Sequence, residues 1–422
     1  MDGDEGQWRS GGSRPLRPYR ICDLSGQLAG AGATKVLAAF GAQVIRVEDP
    51  ISSGRWDLFR EMGPYADERR GVNLGGAFNN HNVEKLGVTI NLRDRRGREL
   101  LGRLIAASDV VTENFSAGVF ARLGFSYEEL RRLRPDIIYV SNSGFGHDGP
   151  YSGYKSWGPI VQAVSGLTFE AGLPDREPAG WGYSLMDHVG ASAGAMAILA
   201  ALLHRERTGE GQAIDVACTE VAVQLLGPAL MDVVANHRPR RRPGSPAGNR
   251  SEFRGMVPHG VFPVSGHDNW VAIACRHDDD WLALRAVIGE AWALDPELET
   301  VAGRRAAEAE VDQRIAAWTG ERTGASVTER LRAARVPVSI VARPEDRVEH
   351  DHSTRAAGLW TEVLHPEIGP VRVEGIPFHL SEDDWQISRP GPCLGEHNDY
   401  VFGELLALSA ESRGQLRDDG VI

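Results

Sequence analysis

The stretch YRICDLSGQLAGAGATKVLAAFGAQVIRVE, residues 19–48, holds two short apolar runs separated by a segment of small residues. The runs at 19–25 and 42–48 are typical of buried strands, and TKVLAAFG at 34–41 is typical of a helix. Two strands joined by a helix usually lie side by side and parallel, because parallel strands need a crossover connection. This stretch therefore predicts an α/β fold built on a parallel sheet.

The same alternation continues along the first third of the chain. We predict further strands at 86–92, 109–114 and 136–146, and helices at 96–108 and 127–135. Strands with near-continuous β-branched residues are buried on both faces, and helices on each side of a sheet provide this cover. The expected architecture is a Rossmann-like, doubly wound parallel sheet domain. Ligands of such sheets bind at the carboxyl ends of the strands.

A change of composition near residue 237 marks the end of this domain. HRPRRRPGSPAGNR is basic and rich in Pro and Gly, which is typical of a linker. The pattern after it predicts a hairpin at 261–275, helices at 281–289, 304–320 and 325–335, and a strand at 336–342. We expect, in chain order, a disordered tail at 1–18, the Rossmann-like domain at 19–236, the linker at 237–250, a smaller α+β domain at 251–350, and a return segment with C-terminal helices at 351–422 that packs on the large domain.

The overall composition argues against several classes of protein. The chain of 422 residues has a net charge of −12, which disfavours a general role in binding nucleic acid or an anionic membrane. The apolar segment at 189–203 is broken by Gly and Ser and falls short of a bilayer span of about 20 residues. The N-terminal residues show no apolar signal segment. We expect no membrane partner and a cytoplasmic location.

The spacing of the four cysteines bears on disulfide bonds, on zinc binding and on the redox compartment. Cys22, Cys218, Cys275 and Cys393 lie far apart and include no CxxC pair. This spacing argues against a disulfide framework and against a zinc site, and it favours a reducing compartment. We therefore expect no bound metal.

The Gly-rich segment GQLAGAGATK at 26–35 resembles two phosphate-binding motifs and satisfies neither. The GxGxxG pattern needs Gly where Lys35 stands, and the Gly-Lys pair of a Walker A motif is missing. A tight strand-to-helix turn with close helix packing explains the glycines without a ligand. Alternatively, free backbone N–H groups at the helix start would bind a phosphate or carbonyl group.

Asn114 and Phe115 follow a predicted central strand, at the edge of the sheet where ligands bind. The Asn side chain can hydrogen-bond a heterocycle or an amide, and the Phe ring can stack. A turn with a core Phe is the alternative. Arg93, Arg122 and Lys155 are surface charges when taken singly, but together they could hold the phosphates of a nucleotide.

Asp187 precedes the small-residue helix pattern GASAGAMAILAALL and is followed by His188. A carboxylate at a helix start can stabilise the helix as a cap or first-turn residue, and the positive helix end keeps it ionised. With space around it, the same carboxylate can attack an activated acyl carbon. His188 is the obvious partner for acid–base chemistry, but adjacent helical residues point about 100° apart. We expect His188 to be a supporting residue.

These residues stand within motifs that resemble the class III CoA-transferases, of the formyl-CoA, carnitine and bile-acid CoA-transferase type. The resemblance runs from about Tyr19 to the C-terminus. The matching stretches, in chain order, are DLSGQLAGAGATKVLAAFGAQVIRVEDP, TENFSAGVFARLG, LAALLHRERTGEGQAIDV, VPHGVF and LGEHNDYVFGELLALS. Their order and extent make the resemblance specific.

The resemblance implies CoA and acyl-CoA as substrates, no permanently bound cofactor, and an intertwined homodimer. Asp187 matches the family's catalytic aspartate. The positions that match CoA contacts in the formyl-CoA transferase branch are Arg93, Asn114, Phe115, Arg122, Leu123 and Lys155. Gln27 joins these candidates, as does Trp157 in place of a tyrosine. Asp49 replaces an arginine near the adenine end of CoA, and Ala117 replaces a common proline.

By the same resemblance, Asp187 would form a mixed anhydride with the donor acyl group and then a thioester with CoA. An acceptor acid would reverse these steps. Oxyanion donors are expected from Gly-rich backbone at 26–33 or 259–260. A larger or hydrophobic acceptor, rather than oxalate, is suggested by the neighbours Trp181, Tyr183, Leu185 and Met186. The donor is left open.

An alternative activity is that of the 2-methylacyl-CoA racemases, which share this fold and transfer a proton with an Asp and a His. Trp157 lies in the stretch where that branch carries its histidine, which favours the transferase. His147 and His188 keep the racemase open. A non-enzymatic nucleotide-binding module is a third interpretation, and the nucleophile-like Asp187 disfavours it.

Overall fold

A computed structural model describes residues 14–171, 173, 176–182, 184–238, 248–251 and 255–422. The chain divides into two compact units. The larger unit takes in the chain up to Thr168, then Gly180–Gly227 and His352–Ile422, and the smaller unit comprises Phe169–Ala179 and Pro228–Asp351. The sequence analysis instead assigned the whole of residues 19–236 to the large domain. Most of the expected tail (1–13) and of the expected linker (239–247) lies outside the described residues.

The larger unit is built on a six-stranded parallel sheet. Its strands are β1 (Arg20–Asp23), β2 (Gln43–Glu48), β3 (Leu86–Thr89), β4 (Val110–Glu113), β5 (Ile138–Ser143) and β6 (Ala213–Ala217). Their spatial order is β3-β2-β1-β4-β5-β6, and every neighbouring pair is parallel. This is the strand order of a doubly wound Rossmann-like sheet. The predicted α/β fold is confirmed, and β6 is a strand that the sequence pattern did not predict.

Helices connect these strands and cover both faces of the sheet. They are α1 (Ala29–Ala39), α2 (Gly76–His81), α3 (Arg95–Ala106), α4 (Val119–Arg122), α5 (Tyr127–Leu133), α6 (Gly158–Val164), α7 (Leu167–Glu170, at a boundary of the two units), α8 (Leu185–Thr208) and α9 (Cys218–Gln224). Short 3-10 turns occupy Leu58–Glu61 and Ala66–Glu68. Side chains cap α3 and α5, where Asp94 and Ser126 accept from Arg96 N and Glu129 N.

Alternate residues of each strand enter two separate apolar cores. Cys22 and Ile45 pack with the aliphatic side chains of α3 on one face. Ile21 and Val44 pack with α1 and α8 on the other face. Burial on both faces explains why these strands read as continuous apolar runs rather than as alternating ones.

Helix α1 begins at Ala29 rather than at residue 34, so most of the Gly-rich segment is helical. A Cβ atom on Gly30 would stand 2.1 Å from the Ser25 Cβ, and one on Gly32 would stand 2.9 Å from the Ala191 Cβ. These glycines therefore serve close packing of α1 against the preceding loop and against α8. The structure supports the packing explanation for these glycines, and ligand binding by the backbone N–H groups at the helix start stays a prediction.

Helix α8 is, by length and composition, long and apolar enough to cross a bilayer, in contrast to the expectation for residues 189–203. A stripe of its small residues is buried in the larger unit, where Ala191 and Ala195 pack against Ala33 of α1. Core helices of globular domains share this length and composition.

The smaller unit combines helices with a three-stranded antiparallel sheet. In chain order its elements are α10 (Gly227–Asn236, of which only Gly227 belongs to the larger unit), β7 (His259–Pro263), β8 (Trp270–Ala274), α11 (Asp278–Ile288), α12 (Val301–Ala306), α13 (Glu308–Gly320), α14 (Gly324–Ala333) and β9 (Val338–Ile340). Two 3-10 turns, Ala291–Leu294 and Pro296–Glu299, and a π-helical turn at Asp346–His350 complete it. The predicted hairpin is present. The helix predicted at 304–320 is interrupted at Ala307.

The return segment contributes α15 (His352–Ala356), the antiparallel hairpin β10 (Trp360–His365) and β11 (Gly369–Glu374), a π-helical turn at Asp399–Leu405, and α16 (Ala410–Asp418). Val401, Phe402, Val421 and Ile422 are buried in the same core as α3. The end of the chain therefore completes one face of the large sheet.

Candidate active site

A cavity of about 290 Å³ opens at the carboxyl ends of the central strands. The loops after β1, β4 and β5 line it together with the start of α8. It brings together six of the residues that the sequence singled out, namely Gln27, Asn114, Phe115, Lys155, Trp157 and Asp187. We call it the Asp187 cavity. Its place in the sheet is where doubly wound folds bind ligands.

Asp187 lies in the first turn of α8, three residues after the N-cap residue Ser184. Its side chain projects toward α6: a Cβ atom on Gly158 would stand 2.8 Å from Asp187 Oδ2 and 2.8 Å from Ser184 Oγ. Only a residue without a side chain leaves the carboxylate this room. Asp187 is thus a first-turn residue whose carboxylate is aimed into a cavity.

Burial raises the pKa of Asp187 above its ordinary value, and this effect outweighs the hydrogen bond from Ser184 and the charge of His188, which both lower it. Burial therefore opposes the stabilisation of the ionised form that the helix start was expected to provide. Desolvation prevails because the carboxylate is mostly enclosed. A carboxylate with little water around it is also less shielded from an electrophile.

The loop after β1 is fixed by side chains from elsewhere in the unit. Asn114 Oδ1 accepts from Gly26 N at 2.7 Å, and Asn114 Nδ2 donates to Gly26 O at 2.8 Å. Both polar ends of this amide are thus engaged by Gly26. Gln27 has a positive φ of 56°, and its N–H donates to Asp57 Oδ1 at 3.0 Å. The side chain of Asn114 orients the loop that lines the cavity.

A fully buried charge network lies behind this loop. Arg46 Nη2 donates to Asp57 Oδ2 at 2.5 Å, and Lys85 Nζ donates to Asp23 Oδ2 at 3.2 Å. All four side chains are inaccessible to solvent. Asp57 therefore links the buried Arg46 to the backbone of Gln27. Sequence patterns did not reveal this link because the residues are brought together only by the fold.

A second cavity of about 190 Å³, which we call the Arg93 cavity, adjoins the first. Arg93, Leu123 and Asp49 line it, and Phe115 and Trp56 line both cavities. The rings of Trp56 and Phe115 lie 6.0 Å apart between centroids. The sequence analysis did not single out Trp56. The only signal for it was an aromatic residue in the segment after a predicted strand.

Arg122 is exposed at the end of α4 and, among the residues that the structure describes, lines neither cavity. The predicted CoA candidates therefore fall into two adjoining groups, with Arg122 outside both.

Neither histidine near the site lines the Asp187 cavity. His188 lines a different pocket and lies 5.8 Å from the His81 ring. His147 Nε2 is 2.6 Å from Ser141 Oγ, and its backbone N–H donates to Asp215 Oδ2 at 2.7 Å. Among the described residues, those that line the Asp187 cavity include no histidine.

The apolar acceptor site expected around residues 181–186 is not assembled as predicted. Met186 is fully buried in a core with Val161 and Cys218, so it cannot contact a substrate. Trp181 is exposed, and Tyr183 lies outside the described residues. The helical period turns Met186 inward, away from its neighbour Asp187.

Two of the backbone donors expected at 26–33, those of Gly26 and Gln27, are engaged by side chains. From Ala29 onward the segment is helical. Ser143 lines the Asp187 cavity, and its buried Oγ has no hydrogen-bond partner among the described residues. Cys218 lines the same cavity, and burial raises the pKa of its thiol to about 12. The described residues include no group of three or more His, Cys, Asp or Glu side chains placed to hold a metal ion.

The chain is similar to known CoA-transferases over nearly its whole length. Succinyl-CoA–D-citramalate CoA-transferase of Chloroflexus aurantiacus is 31% identical over 410 residues, covering 97% of this chain and 98% of that protein. Succinate–glutarate CoA-transferase of Agrobacterium fabrum is 33% identical over 396 residues, covering 93% of this chain and 96% of that protein.

A solved structure and a family model extend the comparison. The crystal structure of a CAIB/BAIF family protein from Brucella suis superposes with a TM-score of 0.82 at 29% identity, covering 93% of this chain and 99% of that one. The model of CoA-transferase family III matches residues 16–398. The chain therefore belongs to CoA-transferase family III.

Proposed function

We propose that this enzyme moves CoA from an acyl-CoA donor to a carboxylic acid acceptor, with Asp187 as the covalent nucleophile. One observation carries the proposal: the Asp187 carboxylate opens into a cavity that also exposes Gln27, Asn114, Phe115, Lys155 and Trp157. The lack of a side chain at Gly158 leaves room for the carboxylate beside α6. A carboxylate placed only to stabilise a helix would need neither the cavity nor the glycine.

The chemistry consists of exchanges between activated carboxyl groups. Asp187 attacks the thioester carbonyl, the C–S bond breaks, and CoA leaves as a thiolate from an aspartyl–acyl anhydride. The thiolate then attacks the Asp187 carbonyl, which releases the donor acid and forms an aspartyl–CoA thioester. The acceptor carboxylate displaces CoA from this thioester, and the thiolate attacks the acceptor carbonyl to free Asp187.

The two adjoining cavities support an extended CoA site. The Arg93 cavity offers a cation and apolar walls, and the Asp187 cavity offers Lys155 and the nucleophile. Trp56 and Phe115 line both, so a single extended ligand would pass their rings. Binding energy from the remote part of CoA would then hold the thioester against Asp187.

Ser143 is our candidate for an oxyanion donor. The residue lines the Asp187 cavity, and its enclosed hydroxyl has no hydrogen-bond partner among the described residues. A developing oxyanion would supply that acceptor. This assignment replaces the Gly-rich backbone at 26–27, whose N–H groups are already bonded.

The racemase alternative has weaker support. Proton transfer between an Asp and a His needs both groups on the substrate, within hydrogen-bond reach of one carbon. Neither His188 nor His147 is among the described residues that line the Asp187 cavity. His188 lines a different pocket, and the His147 ring contacts Ser141. The relatives named as transferases for citramalate and glutarate also favour acyl exchange.

The exposed apolar side chains of α8 support the expected intertwined homodimer. Met196, Leu199 and Leu203 are 65%, 41% and 52% exposed along one helix. Apolar side chains clustered at helical spacing on a surface are typical of a protein interface. Light scattering after size-exclusion chromatography would test for the dimer, and a monomer at micromolar concentration would contradict it.

Trapping the covalent intermediate tests the function directly. The protein is incubated with succinyl-CoA or acetyl-CoA, treated with hydroxylamine and digested, and the peptides are analysed by mass spectrometry. We expect a hydroxamate at Asp187 that requires the acyl-CoA and is missing from Asp187→Asn. An unmodified Asp187 across a broad donor panel would contradict the proposal. Exchange of the α-proton of a 2-methylacyl-CoA in deuterated water, without acyl exchange, would support the racemase instead.

A further inference from the structure

A pocket of about 700 Å³ opens at the amino ends of β1, β2 and β3, whereas the Asp187 cavity lies at the carboxyl ends of the sheet. The first residue of each of these strands lines it, namely Arg20, Gln43 and Leu86. It shares no lining residue with the Asp187 cavity or the Arg93 cavity. We call it the arginine pocket, because four arginines line it: Arg14, Arg17, Arg20 and Arg389.

The segment that carries three of these arginines is held in place by the backbone. Arg17 N donates to Arg14 O at 3.0 Å, and Gln43 N donates to Tyr19 O at 2.9 Å. Gly41 has a φ of 106°, and a Cβ atom there would stand 2.4 Å from the Arg14 Cβ. A side chain at position 41 would therefore displace Arg14, so the shape of the pocket depends on this glycine.

Two of the arginines share one carboxylate. Arg14 Nη1 donates to Glu84 Oε2 at 3.2 Å, and Arg389 Nη2 lies 3.6 Å from the same oxygen. The other oxygen, Glu84 Oε1, accepts from the backbone N–H groups of Ser388 and Arg389. One buried carboxylate thus serves two guanidinium groups, and the pair keeps one positive charge.

The other two arginines have no carboxylate partner among the described residues. Arg20 Nε donates to Gln43 Oε1 at 2.5 Å, and Arg20 Nη1 donates to Ala107 O at 2.7 Å, so both of its acceptors are neutral. Arg17 is exposed, and its guanidinium forms no hydrogen bond or ion pair within the part of the chain that the structure describes. Each of the two adds a full positive charge.

Asp109 is the one acidic side chain among the described residues that line the pocket, and it is already balanced. Its Oδ1 accepts from Arg134 Nη2 at 2.7 Å and from Arg205 Nη2 at 3.0 Å. Asp136 pairs with the same two arginines. Two carboxylates therefore balance two guanidinium groups outside the pocket. The arginine pocket keeps about three uncompensated positive charges on a chain whose net charge is −12.

The pocket also offers a hydroxyl donor and the volume of a small-molecule site. Tyr400 Oη accepts from Gln43 Nε2 at 3.1 Å, which leaves its own proton for another acceptor. Pockets that bind small molecules have volumes of about 300–1,000 Å³. Guanidinium groups match the oxygens of phosphate in paired hydrogen bonds, and they keep their charge at every physiological pH.

We propose that the arginine pocket binds the diphosphate group of a small molecule. A single phosphate monoester has a charge of about −1.5 to −2 at neutral pH, so a diphosphate matches three uncompensated guanidinium charges better than one phosphate or one carboxylate does. Because the pocket lies at the amino ends of the strands, this ligand is a second ligand and not the acyl-CoA that reacts at Asp187. The proposal does not depend on the proposed function.

Calorimetric titration with inorganic pyrophosphate tests the site. We expect wild type to bind pyrophosphate more tightly than orthophosphate, and Arg17→Gln to bind pyrophosphate about 10-fold more weakly, because a charge-assisted hydrogen bond is lost. Arg17→Gln should keep the wild-type melting temperature, since Arg17 is exposed and its guanidinium pairs with no described side chain.

Arg332→Gln is the matched control, because it removes the same charge from an exposed position on α14. Its pyrophosphate affinity should equal that of wild type. Failure of wild type to bind pyrophosphate, or an equal loss of affinity in Arg17→Gln and Arg332→Gln, would overturn the proposal.

Arg93→Gln distinguishes the arginine pocket from the proposed CoA site, since CoA itself contains a diphosphate. We expect this variant to bind pyrophosphate as wild type does, because Arg93 lines a cavity at the other ends of the strands. Weaker pyrophosphate binding in Arg93→Gln than in Arg17→Gln would place the anion at the CoA site and overturn the proposal.

Titration with ADP and AMP distinguishes a nucleotide from a free diphosphate as the source of the group. ADP should bind more tightly than AMP, and Arg17→Gln should weaken the binding of ADP as it weakens that of pyrophosphate. ADP affinity above that of pyrophosphate would identify a nucleotide diphosphate, and the reverse order would identify the free anion. AMP affinity equal to that of ADP would contradict the assignment to a diphosphate.

Discussion

The carboxylate of Asp187 lies so close to Gly158 that a Cβ atom there would stand 2.8 Å from Oδ2 and 3.1 Å from Cγ. Real Cβ atoms do not approach other atoms this closely, so an added methyl group must displace the carboxylate. Gly158→Ala should therefore lower kcat for CoA transfer by about 10- to 100-fold, since small misplacements of reacting groups have effects of this size. Steady-state transfer rates would measure it.

Gly153→Ala is the matched control, because a Cβ atom on Gly153 meets nothing within 4 Å. Neither glycine has a φ in the left-handed region, so neither substitution strains the backbone. The two variants therefore differ only in the contact with Asp187 and Ser184. Equal activity of the two variants would show that the carboxylate position is unimportant.

A second prediction concerns the amide of Asn114, which both donates to and accepts from Gly26. Asn114→Asp keeps the shape and the acceptor but replaces the donor with a charged oxygen facing Gly26 O. The free energy of unfolding should fall by about 1–3 kcal/mol, as for a lost hydrogen bond with an unpaired acceptor. Urea denaturation followed by circular dichroism would measure the change.

The pH dependence of this variant gives an internal check. Once protonated, the carboxyl group that Asn114→Asp introduces can donate to Gly26 O again. The stability difference from wild type should therefore shrink as the pH falls through the pKa of that carboxyl. A difference that is the same at pH 4 and pH 8 would mean that the donor to Gly26 does not matter.

Much of the fold could be predicted from the sequence, because short contiguous patterns of residues define most of its strands and helices. Buried strands such as β1 and β2 are short β-branched runs, and the helix between them has apolar residues at helical spacing. Strand β6 was missed because only its last two residues are buried and the helix α9 follows at once. The hairpin of β10 and β11 was missed because much of it is exposed, so its apolar signal is weak.

The sequence analysis could single out candidate site residues where a suitable residue type stands at the end of a strand or at the start of a helix. Asp187, Asn114 and Phe115 stand at such ends. Trp56 was not identified, because its place in the site comes from a partner distant in sequence, Phe115.

A third prediction concerns Trp56, whose ring lines both the Asp187 cavity and the Arg93 cavity. If CoA spans the two cavities, Trp56→Ala should raise its dissociation constant by about 10-fold, because a large aromatic contact is lost. Isothermal titration with CoA would measure this. Gly26→Ala should act in the same direction, since its Cβ atom would stand 2.6 Å from the Trp56 ring and displace it. Unchanged CoA affinity in both variants would place CoA elsewhere.

The last prediction separates the chemistry of Asp187 from its effect on stability. Asp187→Asn removes the proposed nucleophile and should lower kcat by about 10³-fold or more, while CoA affinity is retained. The same change should raise the melting temperature at neutral pH. Burial raises the pKa of Asp187, so the ionised carboxylate costs the folded state free energy that a neutral amide does not.

The sign of the pH dependence follows from the raised pKa. A group that binds its proton more tightly in the folded state destabilises the fold above its pKa, and this penalty disappears as the pH falls through that pKa. The stability advantage of Asp187→Asn should therefore shrink on acidification, over the same pH range in which wild-type transfer activity is lost. Melting curves and transfer rates measured across that range would test both. The control Asp418→Asn changes an exposed aspartate at the end of α16 and should keep the wild-type transfer rate. An advantage of Asp187→Asn that grew as the pH fell would contradict a buried, desolvated nucleophile.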